Sequence, residues 1–267
     1  MKPDRNFERQ LENLDHESNI IASYVYAEMA IQHAASKSKL LLNRLNKTPT
    51  FWITCSAALQ SAAYIALGRV FDLKSPYNLN ELLVSMENNL TLFSREALAL
   101  RKRALGFTDE ARLAEYVAAA YVPTETDIRR LRQSVKRYRA IYDRAIRPVR
   151  HQYLAHRQAH GQVRIASLYA KGKVKELWCL SVYLIRLHQT LWNQLYNGRE
   201  PTLRLSRYSP KVMYDRPSHV SGPHERIVHE TRELMRFIEN ATRNSSLKPN
   251  RNDSFRSPSR SAERNRV

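Results

Sequence analysis

Glycine is nearly missing from this chain, with 6 in 267 residues, and stretches that alternate apolar and polar residues are scarce. Those shortages argue against an architecture of short strands and tight turns. The long runs rich in Leu, Ala, Arg and Glu read instead as helix almost throughout. Cysteine is also scarce: Cys55 and Cys179 stand far apart on predicted core faces, so no disulfide is expected, and no secretory leader pattern opens the chain. Both features suit a reducing, cytoplasmic setting. Acidic residues are outnumbered, 25 Asp and Glu against 44 Lys and Arg, for a formal net charge of +19. A field of that sign attracts polyanions and speaks to partners rather than to fold. No internal repeat at solenoid spacing is present.

The hydrophobic content, 43%, is enough for a core. One uncharged run, Thr48 to Gly68, is long enough to span a bilayer, but Gln60 and repeated Ser and Thr weaken that reading, and a buried bundle helix explains the same run. No membrane partner is expected.

Apolar residues recur at three-four spacing in five long stretches. The first runs from Asn6 to about Arg44, with Leu11, Leu14, Ile21, Val25 and Met29 and then Leu40 and Leu41. The second opens at Pro49 and ends near Asp72. A third, capped by Asn78 or Asn80, keeps Leu79, Leu82, Leu83, Met86, Leu90, Phe93, Ala97 and Leu100 on one face until Gly106. After a short Ala-rich segment, Asp109 to Tyr121, Thr124 and Asp127 open a fourth helix whose Ile128, Leu131, Val135, Tyr138, Tyr142, Ala145 and Val149 face inward while arginines crowd its other sides. The fifth, Lys173 to Asn197, places Leu177, Trp178, Leu184, Leu191, Trp192 and Leu195 inward and stops at Gly198. The expected fold class is an all-α antiparallel bundle over residues 1–198, with an inserted helical segment at about 73–125. A connector and accessory helix follow over 199–242, with Ile227, Leu234 and Ile238 on one side of the helix. Residues 243–267 form a disordered basic tail.

One stretch concentrates chemistry. "RPVRHQYLAHR", Arg147 to Arg157, carries three arginines and two histidines and no acid. Within it Arg150 is followed directly by His151, and five residues separate it from His156. This arrangement resembles the Arg-x4–6-His signature of the HEPN superfamily, all-helical domains in which a polar residue often follows the arginine. The motif also comes just after the basic penultimate core helix and before one more long helix, as in that superfamily. "ALGRVFD", Ala66 to Asp72, and "YNLNELL", Tyr77 to Leu83, resemble paired segments of its AbiU-type abortive-infection branch.

The residue types suit RNA cleavage. An RNA strand supplies its own nucleophile, the 2′-hydroxyl, so neither a metal, a cofactor nor an enzyme nucleophile is called for. His156 is assigned to proton transfer, because an imidazole titrates near neutral pH. Arg150 forks two donors onto phosphate oxygens and stabilises the five-coordinate transition state. His151 orients the phosphate or is the second proton carrier. Arg139, Arg144, Arg147, Arg157 and His160 are the candidate RNA contacts. The resemblance implies 2′,3′-cyclic phosphate products, a role in phage defence or as a toxin, and a partner antitoxin or defence protein.

Six positions along a straight helix turn about 600° and rise about 9 Å, so Arg150 and His156 do not stack. Either the helix is distorted at Pro148, or a two-fold axis brings a second chain's motif alongside. The dimers known for HEPN nucleases favour the second solution, a homodimer with a composite cleft.

Plainer readings stand beside each assignment. The basic segment is also what a solvated helix end looks like, with Arg150 paired to an acid such as Glu176. His156 and His160 have metal-ligand spacing but no carboxylate or thiol near them. His188 reads as a satisfied core histidine, Arg69 and Asp72 as a local pair that fixes a helix end unless Arg69 reaches into the cleft, and Tyr138, Tyr142 and Tyr153 as core or interface residues. A non-catalytic RNA- or partner-binding module would show the same charge and bundle.

Overall fold

The structure, a computed structural model, describes residues 5–151, 174–203, 209–216 and 222–246. The proposed tail from 247 onward, Tyr153, His156, Arg157 and His160 lie outside the described residues. All regular structure among the described residues is helical.

The spine of the bundle is α1 (Arg5–Lys37), which buries Phe7, Leu11, Leu14, Ile21 and Val25. The first predicted helix is not continuous. It breaks at Ser38, whose hydroxyl accepts from the Leu41 backbone N–H at 3.1 Å and starts a separate α2 (Lys39–Leu45). A short polar side chain competes here with the helical ladder and wins. Next comes α3 (Pro49–Phe71), with Pro49 in its first turn where a missing N–H costs nothing.

Only the second half of α3 is buried: Ala63, Tyr64, Leu67, Val70 and Phe71 pack into the core, while Phe51 and Ile53 near its start are exposed. By length and composition it is the one helix among the described residues apolar enough to cross a membrane. Core burial thus accounts only for the end of the uncharged run, from Ala63 onward, rather than all of it.

The third predicted helix is in fact three pieces: α4 (Leu79–Asn88), a 3-10 turn (Leu90–Phe93) and α5 (Arg95–Ala104). Asn89 and Ser94 interrupt it; the Ser94 hydroxyl caps α5 by accepting from Ala97 N–H at 3.2 Å. The change of direction turns Leu100 out into solvent, off the face it was expected to share with Leu79. Asp109 caps α6 (Glu110–Ala118), accepting from Arg112 N–H.

The fourth helix matches its pattern closely. α7 (Glu125–Ala145) starts at a reciprocal capping box between Thr124 and Asp127, a motif that contributes about 1 kcal/mol. It buries Ile128, Leu131, Tyr138, Tyr142 and Ala145. A brief α8 (Arg147–Val149) follows. α9 (Val174–Asn197) stacks Tyr183 on Tyr138 at 3.8 Å between ring centroids and ends at Gly198, whose φ of 58° is the left-handed conformation glycine favours. Trp192, expected inward, is exposed.

After α10 (Pro210–Asp215), α11 (Pro223–Ser246) lies back along α1. Its most buried residues are His224, Val228, Thr231, Arg232 and Met235, with Ile227 and Ile238 partly buried against the core beside them, while Leu234 is exposed. Polar anchoring sets that phase: Arg232 Nη1 donates to the carbonyls of Tyr214 and Arg216 at 3.1 and 2.8 Å. Helices α3, α9 and α11 all pack on α1, while the end of α3 meets α7 and α8. That last junction is where the Arg150 segment arrives.

Candidate active site

At Ile146 the α7 ladder ends, with the Ile146 N–H donating to Tyr142 O at 2.9 Å. Pro148 offers no N–H to the carbonyl one turn back, so the helix cannot run through. The chain makes the single turn of α8 and then widens at Arg150 and His151 into a π-type turn, a distortion common at functional sites. A helix distortion around Pro148 is therefore present. Ile146 and Val149 stay buried, so Arg150 and His151 are fixed by apolar anchors on their N-terminal side.

Arg150 lies across the end of α3. Its Nη2 is paired with the Asp72 carboxylate, and the same nitrogen donates to His151 Nε2 at 3.3 Å. A guanidinium only donates, so in this contact Nε2 carries no proton. Tyr142, fully buried, donates its hydroxyl to the other Asp72 oxygen at 3.0 Å. Burial pushes the Tyr142 phenol well above its ordinary value and keeps it a donor. Burial also lowers the Arg150 pKa, while the Asp72 carboxylate in contact favours the charged form. Arg150 Nε is buried and has no hydrogen-bond partner among the described residues.

Gly68 makes this seat possible. A Cβ at Gly68 would stand 2.5 Å from Arg150 Nη1 and 2.7 Å from its Cδ. The guanidinium therefore rests directly on the α3 backbone, an approach only glycine permits.

Around this point opens a cleft of about 670 Å³. Arg69, Lys74, Arg139, Arg147 and Arg150 line it, with two carboxylates, Glu17 and Asp72. Arg139 and Arg147 flank Asp143 at 3.5 and 3.4 Å. Of the candidate residues, Arg139, Arg147, Arg150 and His151 are thus brought together. Arg144 is not: it pairs with Glu176 at 3.3 Å, away from the cleft lining. His156, Arg157 and His160 fall outside the described residues.

Two expected pairings are corrected. Glu176 takes Arg144 rather than Arg150, because Arg150 has turned toward α3. Arg69 does not pair with Asp72; it makes a two-pronged contact to Glu17 on α1, both N–O distances 2.7 Å. His188 is a satisfied core group, its Nδ1 3.1 Å from Asp15, and Tyr138 and Tyr142 are core residues. The sequence reading missed Gly68 and the roles of Asp72 and Tyr142 in holding Arg150. A glycine inside a helix costs about 1 kcal/mol relative to alanine, and that cost was the available signal.

A helical bundle whose basic penultimate core helix delivers an Arg-His pair into a cationic cleft has the architecture of a HEPN domain. The HEPN_AbiU2 family model, described as AbiU2, matches residues 4–214, and the chain belongs to that family. The match takes in α1 to α9 and stops before α11. No curated protein and no solved structure matches the chain.

Proposed function

We propose that this protein is a metal-independent endoribonuclease of HEPN type that acts in phage defence or as a toxin. The observation that carries the reading is the seat of Arg150: a charged guanidinium, fixed by Asp72, Tyr142 and Gly68, on the wall of a cleft where cations outnumber carboxylates five to two. With Nη2 engaged by Asp72 and His151, the Nη1 edge over Gly68 is the one offered to a phosphate oxygen. The 2′-hydroxyl attacks the adjacent phosphorus, charge grows on the non-bridging oxygens, and Arg150 stabilises it. His156 carries the proton in transfer, and His151 holds the guanidinium plane or relays the second proton. The products are a 2′,3′-cyclic phosphate and a 5′-hydroxyl. A second copy completes the cleft in this reading, as a homodimer.

The test is incubation of purified protein with total RNA in EDTA, wild type beside Arg150→Ala and His156→Ala. Cleavage that survives chelation and disappears in both variants is expected, with cyclic phosphate ends. Binding without cleavage, the same in all three proteins, would overturn the enzyme and leave a binding module. Light scattering of the wild type checks the dimer, and a monomeric mass with full activity removes the composite cleft.

A further inference from the structure

The cleft has a second character besides charge. Between α3 and α4 the turn formed by residues 72–78 forms one of its lips and holds two large apolar side chains in solvent: Leu73, 55% exposed, and Tyr77, 43% exposed. Exposure of that kind does nothing for the core. Yet the turn is firmly built. The Asn78 amide, itself buried, donates to the carbonyls of Leu73 and Ser75 at 3.3 and 2.6 Å, while its oxygen caps α4 through Asn80 and Glu81 N–H. Gln10 donates to Pro76 O at 3.3 Å. The two apolar groups are therefore presented by a braced loop, at the edge of a site whose other lining is cationic.

Tyr77 is further organised by Arg9, whose guanidinium stands 5.9 Å from the ring centroid. A cation engages a single face of the ring, which leaves the other for stacking, and Tyr77 is part of the cleft lining. An occupant that combines a phosphate for Arg150 with a flat, weakly polar ring for Tyr77 is a nucleotide.

We infer that the Leu73–Tyr77 lip is a nucleobase subsite, in which the base next to the phosphate held by Arg150 stacks on Tyr77 with Leu73 along its edge. The inference rests on the nuclease reading for its choice of RNA. Its consequence is a preference for single strands. In a duplex the bases are stacked on one another and cannot turn onto a protein ring, whereas an unpaired strand can splay a base outward. Stacking accepts any base, so the lip selects strand state rather than sequence.

The test uses the full chain and an RNA oligonucleotide whose 2′-hydroxyls are replaced by fluorine, which removes the nucleophile. One base is 2-aminopurine, whose fluorescence is quenched on stacking. Wild type is expected to bind the single strand with quenching and to bind the matching duplex more weakly. Tyr77→Ala loses the quenching and about tenfold or more in single-strand affinity, with duplex affinity unchanged, and Tyr77→Phe restores both. Wild-type behaviour in Tyr77→Ala, or equal binding of duplex and single strand by the wild type, overturns the subsite. Failure of the nuclease reading is read separately, as no Arg150-dependent cleavage of unmodified RNA, and leaves the stacking signal intact.

Discussion

Arg69 and Arg150 line the same cleft and each meets a carboxylate, yet they are built in opposite ways. Arg69 projects from α3 to Glu17 with 46% of its side chain exposed, in a plain two-pronged contact. Burial opposes the gain there, but hydrogen bonding to Glu17 comes first and raises the Arg69 pKa. Arg150 is 22% exposed, rests on a helix backbone bared by Gly68, and pairs with an acid that a buried tyrosine holds from behind. Screened pairs of the first kind are worth about 0–1 kcal/mol and tolerate change. The second kind fixes a charge in one place, which is what phosphate chemistry needs. The difference lies in the surroundings, since the side chains are identical.

The comparison is broken most sharply at Gly68. Gly68→Ala displaces the Arg150 guanidinium by its Cβ but adds a better helix former to α3. RNA cleavage is expected to fall by roughly 100-fold, the scale of a 1 Å misplacement, with the melting temperature unchanged or raised. A variant as active as wild type would show that the seat does not matter. Next comes Asp72→Asn, which keeps the shape and removes the charge that holds Nη2. A loss of roughly tenfold in kcat with a smaller change in KM is expected, since the phosphate contact persists but wanders.

The pH dependence of stability separates core from cleft. Burial lowers the pKa of His188, with Asp15 opposing, and of His224, with Glu225 opposing and Arg186 assisting. Both have folded values below the unfolded one of about 6.5, so the unfolded chain binds more protons and stability rises with pH. Their contribution is complete above about pH 6.5 and is lost as pH falls below it. The urea midpoint is therefore expected to drop between pH 7.5 and 5.5, less steeply in His188→Gln; an equal slope in that variant removes His188 from the account. The smallest effect belongs to Glu17→Gln, which unpairs Arg69: a change in stability within about 0.5 kcal/mol and in cleavage within about threefold. A larger loss would place Arg69 beside Arg150 in the chemistry.

Much of this was readable along the chain. The three-four spacing of α7 and the Thr124–Asp127 capping box gave that helix its start and its buried face, since both depend on neighbours within a turn or two. The Arg150–His151 pair and Pro148 were likewise visible as local chemistry. The errors came where a short polar side chain outweighed the apolar pattern, and where distant groups intervened. Ser38 and Asn89 broke helices that the apolar pattern would have continued. Arg232 rotated α11 by bonding to carbonyls of the preceding segment, so polar residues went inward and Leu234 outward. Nothing near Arg69 announced that Glu17, 52 residues earlier, would take it from Asp72.

The helical class, the positive field and the placing of an arginine and a histidine side by side at a helix break follow from composition and short-range spacing, because backbone hydrogen bonds and capping act over a few residues. Which acid holds that arginine, why a glycine lies beneath it, and that Leu73 and Tyr77 edge the same cleft were decided only when α3 met the end of α7. Tyr142 reaches Asp72 across 70 residues of chain, and no local preference encodes a contact of that range.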